Sequence, residues 1–294
     1  MNKINEYLCY LEYEKRYSQN TLASYKRDLK DFSLYLIKEG TDIVDEIVIR
    51  NYLAFLYSNN LSKKTISRRI SVLKSYYKFI DKKFGYDNSF IKDIKSPKQN
   101  NLLPEIIYKD ELKKIIFYTF TGKFSSRNKA ITLLLYSSGI RVSELCNITL
   151  DLIDIENRYI VVVGKGNKSR ICPFSNHCKL AIEKYIEKER NIYAKQDCNF
   201  LFINKYGNKI TPRSIENVIT NLSKKLFNNK KLHPHLFRHT YATQLLNNGA
   251  DLKVIQELLG HQNLMSTQIY THLAKEEINN IYKISHPRYN SLRN

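Results

Sequence analysis

The side chains best suited to chemistry lie near the carboxyl end of the sequence. Five of the seven histidines fall within forty residues, together with Arg238 and Tyr270. Any one of these side chains alone is usually structural, because most histidines and tyrosines only pack or form a surface hydrogen bond. The cluster is therefore more informative than its members. The five histidines are His233, His235, His239, His261 and His272.

Two chemistries compete for this cluster. His235 and His239 would share one face of a helix, as zinc-binding pairs do, but the Glu of a His-Glu-x-x-His motif is missing and the signal is weak. Phosphate chemistry fits better. Guanidinium forks and imidazole donors can stabilise the negative charge that spreads over the nonbridging oxygens of a phosphodiester during displacement, without a metal. Such donors are Arg141, Arg238, His235 and His261.

The charge of the chain also indicates a polyanionic partner. Of 294 residues, 48 are Lys or Arg and 28 are Asp or Glu, which gives a net charge of +20. The positively charged side chains repel one another unless a bound anion neutralises part of this charge. Apolar residues make up 43% and charged residues 26%, which excludes wholesale disorder, collagen-like repeats and coiled-coil rods. Nucleic acid is the expected partner of a folded protein with this balance.

The sequence gives no sign of a membrane or of secretion. No stretch approaches the roughly 18 to 20 uncharged apolar residues of a membrane span, and the first sixteen residues contain no apolar signal core. The five cysteines are scattered, with no Cys-x-x-Cys pair, which is typical of reduced thiols. We therefore expect a cytoplasmic protein with no membrane partner.

The elements that must position these side chains are mostly helical. Apolar residues recur every three or four positions between Ser18 and Gly40, which predicts a capped helix. A second helix is predicted over residues 63–80, with one apolar face directed to the core. That face consists of Ile66, Ile70, Leu73, Tyr77 and Ile80.

The basic residues of this second helix form a separate arc that contains no acidic residue. A solvated surface is the ordinary explanation of such an arc, but in a chain this basic we favour contact with phosphates. The predicted DNA contacts are Lys63, Lys64, Arg68, Lys74 and Lys78.

A polar, proline-bounded stretch at 95–105 predicts an interdomain linker. It would separate a helical DNA-binding domain at 1–94 from a catalytic domain at 106–294. Two β-rich runs at 158–163 and 169–174 flank a Gly-Lys-Gly-Asn turn and predict a β-hairpin. Helices beyond the linker are predicted at 109–119, 127–138, 179–195, 214–227, 239–248, 252–259 and 266–272.

Taken together, these residues resemble a tyrosine site-specific recombinase of the phage-integrase family, of the Xer type, over nearly the whole chain. At Phe237 the family usually has Leu, a change that should alter packing rather than chemistry. The fragments in the family's order and spacing are Ser138-Gly139-Ile140-Arg141-Val142-Ser143-Glu144-Leu145, Gly164-Lys165-Gly166-Asn167-Lys168, His235-Leu236-Phe237-Arg238-His239, Leu259-Gly260-His261 and Thr267-Gln268-Ile269-Tyr270-Thr271-His272.

The resemblance implies a catalytic role for several of these residues. Tyr270 would attack a backbone phosphate to give a 3′-phosphotyrosine and a free 5′-hydroxyl, with His235 as the acid/base. Arg141 and Arg238 would clamp the scissile phosphate, and His261 would donate a further hydrogen bond. Because the phosphotyrosine conserves the energy of the phosphodiester, no ATP, metal or nucleotide cofactor is expected.

Two further residues have a plausible structural alternative. Lys165, in the predicted turn, would protonate the leaving 5′-oxygen, although a lysine in a turn is more often only solvated. Glu144 lies one helical turn after Arg141 and would orient that guanidinium or His235, the alternative being an ordinary surface carboxylate.

The resemblance also implies a mainly α-helical fold with a small β-sheet. A SAM-like helical domain and the catalytic domain would close as a C-shaped clamp around double-stranded DNA that carries a specific recombination site. The last segment would dock on a neighbouring protomer in a tetramer, homomeric or heteromeric, and a DNA translocase is a candidate activator. The sequence leaves four roles open. They are resolution of chromosome or plasmid dimers for chromosome partition at cell division, mobile-element integration, DNA inversion, and mere occupancy of a site by a basic DNA-binding protein.

Overall fold

In a computed structural model the chain forms two compact units, residues 1–103 and residues 104–294. Both units are mainly helical, as predicted, and the second contains a small antiparallel sheet. Within the part of the chain that the structure describes, no helix is both long and apolar enough to cross a bilayer. The described residues are 2–87, 89–97, 105–164 and 169–260.

The first unit packs its helices around one apolar core whose largest side chains include Tyr7 and Tyr52. Helix α2 (Gln19–Glu39) is capped by Ser18, whose Oγ accepts a hydrogen bond from the N–H of Thr21, and it ends at Gly40 in the left-handed conformation. Both ends of this helix agree with the sequence. The helices are α1 (Asn2–Tyr13), α2 (Gln19–Glu39), α3 (Glu46–Ser58), α4 (Lys63–Phe84) and α5 (Ser89–Lys92).

Helix α4 is the second helix that the sequence predicted. Of its apolar stripe, Ile66, Ile70, Leu73 and Ile80 are buried and Tyr77 is partly buried. The helix continues to Phe84, beyond the predicted end at residue 80, because its next helix-terminating residue is Gly85 in the left-handed conformation.

The second unit contains a three-stranded antiparallel sheet of order β1-β2-β3 beside its helices. The pairing from Tyr159↔Pro173 to Val163↔Ser169 agrees with the predicted hairpin, whereas two-residue β1 was too short to give a periodic signal. The elements are α6 (Lys109–Phe117), α7 (Ser125–Ser138), α8 (Val142–Cys146), β1 (Ile153–Asp154), β2 (Tyr159–Val163), β3 (Ser169–Pro173), α9 (Asn176–Tyr185), α10 (Asn191–Tyr193), α11 (Pro212–Leu226), α12 (Pro234–Asn247) and α13 (Leu252–Leu259).

Helix α7 forms the centre of the apolar core of the second unit. Every residue from Ala130 to Ser138 is buried, and the helix packs against α9 and α12. Such burial on all sides explains why α7 shows no amphipathic stripe. Its carboxyl end therefore provides a fixed point from which the following turn emerges.

Two helices of the second unit differ most from the prediction. Helix α12 begins at Pro234 rather than at residue 239, because Nδ1 of His233 caps it by accepting a hydrogen bond of 3.2 Å from the N–H of Leu236. The helix predicted at 179–195 is interrupted after Tyr185 by a π-helical turn, Ile186–Arg190. The predicted helix at 266–272 and most of the predicted linker lie outside the described residues.

Candidate active site

Four of the seven predicted site residues lie in the described part of the second unit, and the structure brings three of these together. Arg141, Glu144 and Arg238 meet at the carboxyl end of α13, and His235 is exposed on the first turn of α12. The other three, Lys165, His261 and Tyr270, lie outside the described residues.

The turn between α7 and α8 positions Arg141. Gly139 ends α7 with φ +59, and a Cβ there would lie 2.5 Å from the ring of Tyr241, so a side chain would need the ring to move. After the buried Ile140, the N–H of Arg141 donates to Oε2 of Glu144 and its guanidinium donates to Oε1, each at 2.8 Å. One carboxylate thus orients both the backbone and the side chain of Arg141.

Helix α12 positions Arg238 beside the same turn. His235 and Arg238 lie one helical turn apart, so they share a face of α12. The guanidinium of Arg238 donates to the carbonyl of Gly139 at 2.7 Å and to the carbonyl of Leu259 at 2.5 Å. The glycine carbonyl links Arg238 to the turn that precedes Arg141.

A third arginine, Arg170 on β3, completes the cluster and was missed by sequence reasoning. Its guanidinium donates to both carboxylate oxygens of Glu144, at 2.9 and 2.8 Å. The available signal was a charged residue directly before the apolar run Ile171–Cys172, since a buried arginine requires a partner.

The carboxyl end of α13 accepts hydrogen bonds from all three arginines. Helix carbonyls in this position have no partner within the helix and carry partial negative charge, so cations stabilise them. The carbonyls of Leu258, Leu259 and Gly260 accept from Arg170, Arg238 and Arg141, at 2.8, 2.5 and 3.3 Å.

Three guanidinium groups thus face one carboxylate within this cluster. Burial favours the neutral form of Glu144, but Arg170 and Arg141 outweigh that effect and lower the pKa of Glu144 to about 2. Burial, followed by the charges of Arg141 and Arg170, lowers the pKa of Arg238 to about 10. Arg238 stays protonated at neutral pH, and the excess positive charge suits an anion such as a phosphate.

The other described histidines of the cluster differ in their surroundings. His233 caps α12, and burial together with the charge of His235 lowers its pKa, which favours the neutral form that accepts the capping bond. His239 is exposed on the same helix. Within residues 2–87, 89–97, 105–164 and 169–260, no group of three His, Cys, Asp or Glu side chains is arranged to hold a metal ion.

In the first unit, the basic arc of α4 is partly engaged in contacts within the unit. Arg68 donates to Ser24 and to the buried carboxylate of Asp28, and Nζ of Lys74 donates to the carbonyl of Lys92 at 2.9 Å. The exposed members of the arc are Lys63, Lys64, Arg68 and Lys78.

Comparison with known families and proteins gave matches over nearly the whole chain. Residues 105–277 match the phage integrase family, and residues 4–83 match the phage integrase N-terminal SAM-like domain. Tyrosine recombinase XerC of Bacillus subtilis (strain 168) is 37% identical, covering 98% of this chain and 97% of its own. Tyrosine recombinase XerC of Staphylococcus epidermidis (strain ATCC 12228 / FDA PCI 1200) is 41% identical, covering 98% of both chains.

Solved structures of recombinases are similar as well. The pre-cleavage complex of the XerH site-specific recombinase with its difH substrate superposes with a TM-score of 0.65 and 25% identity, over 89% of this chain and 80% of that one. The XerA recombinase gives a TM-score of 0.50 and 29% identity, over 98% of this chain and 100% of that one. All seven predicted site residues fall within the matched range 105–277.

Proposed function

Because the chain belongs to the phage integrase family, we propose that it is a site-specific tyrosine recombinase that breaks and rejoins DNA strands. The observation that carries this proposal is the cluster of Arg141, Arg170 and Arg238 around Glu144. Its excess positive charge matches the charge that develops on a phosphodiester under attack. XerC, the full-length relative in Bacillus subtilis, is named a tyrosine recombinase.

In this mechanism Tyr270 is the nucleophile. A phenol with a pKa near 10 is mostly protonated at neutral pH, so attack needs a base and local positive charge. We assign the proton transfer to His235, and the stabilisation of the nonbridging oxygens to Arg141 and Arg238. Attack gives a 3′-phosphotyrosine, and the P–O bond to the 5′-oxygen breaks.

The remaining steps are assigned to residues outside the described part of the chain. Lys165 donates the proton that the leaving 5′-oxygen takes up, and His261 donates a hydrogen bond to the phosphate. Reversal of the first step by the 5′-hydroxyl of another strand rejoins the DNA, so neither ATP nor a metal is required.

Double-stranded DNA is the proposed partner, and the XerH structure, solved with a difH substrate, supports this choice. The exposed lysines of α4, Lys63, Lys64 and Lys78, are proposed to contact phosphates, which would fix the position of the protein without choosing a sequence. We extend the proposal to Arg68 and Lys74, whose contacts within the unit must then be shared with or exchanged for phosphates.

Full-length similarity to XerC favours a Xer-type role, the resolution of chromosome or plasmid dimers in the cytoplasm. Strand exchange between two duplexes requires two cleavages in each, so we propose a tetramer on DNA in which the carboxyl-terminal segment joins neighbouring protomers. A second recombinase and a DNA translocase are candidate partners. Light scattering of the protein bound to its recombination site tests the tetramer. Complexes no larger than a dimer would contradict it.

A covalent trapping experiment tests the reaction. The site is first recovered by sequencing the DNA that the Tyr270→Phe protein binds in cells, and a nicked duplex of that site is then prepared so that the cleaved strand end is lost. The wild type should form an adduct that resists denaturant and that is absent with Tyr270→Phe. If the wild type binds the site tightly but forms no adduct, the proposed enzymatic activity is contradicted and the protein only binds DNA.

A further inference from the structure

Arg170 is buried and tightly bound, although the mechanism proposed above gives it no role. It is 6% exposed. Two of its nitrogens donate to the carboxylate of Glu144 and Nε donates to the carbonyl of Leu258, at 2.8 Å. Burying a guanidinium is costly unless partners satisfy it, so these partners fix the place of Arg170 and Arg170 fixes theirs.

The first connection runs through Glu144 to Arg141. Each oxygen of this carboxylate accepts one hydrogen bond from Arg170 and one from Arg141, whose guanidinium binds Oε1 and whose N–H binds Oε2. A two-point contact with a planar guanidinium defines the plane of a carboxylate. Without Arg170, Glu144 could rotate and would no longer hold Arg141 in one orientation.

The second connection runs through the end of α13 to Arg238. Arg170 binds the carbonyl of Leu258, and Arg238 binds the carbonyl of Leu259. The next residue, Gly260, has φ +63, and a Cβ there would lie 3.0 Å from Nη1 of Arg170. The backbone at this helix end therefore packs directly against Arg170, which holds in place the carbonyls that Arg238 contacts.

We propose that Arg170 is a positioning residue for strand cleavage, which acts through Glu144 on Arg141 and through the carboxyl end of α13 on Arg238. It need not touch the DNA. The inference rests on the proposed recombinase function, because it assigns to Arg170 the geometry of the two arginines that bind the phosphate.

The test compares Arg170→Met with a matched control in the full-length protein. Arg190 is also 6% exposed, and its guanidinium donates to the carbonyls of Phe200 and Cys198, at 3.0 and 2.7 Å. Arg190→Met therefore removes an equally buried arginine from the same unit without touching the cluster. For each protein we would measure the melting temperature, the affinity for the nicked duplex and the rate of adduct formation at saturating DNA, well below the melting temperature.

We expect Arg170→Met to form the adduct about 10- to 100-fold more slowly than the wild type, with little change in DNA affinity. Arg190→Met should also lose stability, although less because its partners are carbonyls rather than a carboxylate, and it should keep the wild-type rate within about twofold. Arg170→Lys, which keeps the charge but loses the planar fork, should fall between the wild type and Arg170→Met.

The pH profile distinguishes positioning from general stability. Glu144 is faced by Arg141 from the α7–α8 turn, Arg238 from α12, and Arg170 and Cys172 from β3. Arg170→Met removes the largest influence that opposes burial, so the pKa of Glu144 rises. On acidification, the variant should lose its cleavage rate at a higher pH than the wild type, and Arg190→Met should follow the wild type.

A double variant keeps the test decisive if Arg170→Met folds poorly. Glu144→Gln with Arg170→Met leaves no unpaired buried charge of this pair, so stability should recover relative to Arg170→Met while the rate stays low. A double variant that forms the adduct as fast as Glu144→Gln alone, or a wild-type rate in folded Arg170→Met, would overturn the inference. Failure of the wild type to form any adduct would instead overturn the proposed function. Affinity for inorganic phosphate then tests the positioning role, which requires weaker binding by Arg170→Met.

Discussion

The two units each contain a network of arginines and carboxylates, and the two networks differ in their balance of charge. In the first unit, Arg68 and Arg69 face Asp28 and Asp31. In the second unit, three guanidinium groups face Glu144 alone. The balanced network joins α2 to α4 and leaves no excess charge among its four members, whereas the unbalanced network retains charge that an external anion can neutralise. Only the second arrangement is suited to stabilise the negative charge of a phosphate in the transition state of strand cleavage.

The largest expected effect comes from removing a guanidinium fork of the unbalanced network. Arg238→Lys keeps one positive charge but cannot donate to two acceptors in a plane. We expect the rate of adduct formation at saturating DNA to fall about 100- to 1,000-fold, with a much smaller change in affinity for DNA. A rate within tenfold of the wild type would show that the cluster does not stabilise the reacting phosphate.

The pH dependence of stability is the next effect in size. The pKa of Glu144 is lowered from 4.5 to about 2, so the folded state gains stability from the ionised carboxylate above pH 4.5 and loses it as the pH falls towards 2. In urea unfolding, the difference in unfolding free energy between the wild type and Glu144→Gln should narrow by about 2 kcal/mol from pH 6 to pH 3. Parallel pH curves for the two proteins would contradict this assignment.

The balanced network should affect stability and leave chemistry unchanged. Asp28→Asn removes a buried carboxylate that pairs with Arg68 and approaches Nε of Arg69 at 3.8 Å. We expect a loss of about 1–3 kcal/mol in unfolding free energy. The rate of adduct formation on saturating DNA should stay within about twofold of the wild type under conditions where the variant is folded. A slow but fully folded Asp28→Asn would remove the distinction between the two networks.

The smallest effect is expected at the exposed lysines of α4. Lys63→Gln and Lys64→Gln should each weaken DNA binding and reduce the slope of log affinity against log salt by about 1 if the residue contacts a phosphate. The rate at saturating DNA should not change. Lys113→Gln, at an exposed lysine of α6, provides a control on another helix. If the α4 substitutions leave the salt slope unchanged, these phosphate contacts are excluded.

Much of the local structure was predictable from the sequence because it depends on neighbours along the chain. The caps and period of α2, the apolar face of α4 and the hairpin of β2 and β3 are local patterns. The contact of Arg141 with Glu144 also spans only three residues, and it is one of the two contacts that the sequence suggested for this carboxylate.

Contacts between distant parts of the chain were not predictable in the same way. Arg170 and Glu144 are 26 residues apart, and Arg170 and the carbonyl of Leu258 are 88 residues apart. A backbone carbonyl also has no identity in a sequence, so the end of α13 gave no signal. The pairing of Arg68 with Asp28, 40 residues away, was equally invisible on a helical wheel.

In the proposed mechanism, the arginine cluster stabilises negative charge on the phosphate that Tyr270 attacks. The most direct test replaces the scissile phosphate by an uncharged methylphosphonate and compares the wild type with Arg238→Lys on both substrates. If the cluster acts on this charge, the substitution should slow cleavage about 100- to 1,000-fold on the phosphodiester and far less on the methylphosphonate. An equal loss on the two substrates, or no covalent product through Tyr270 on either, would contradict the account.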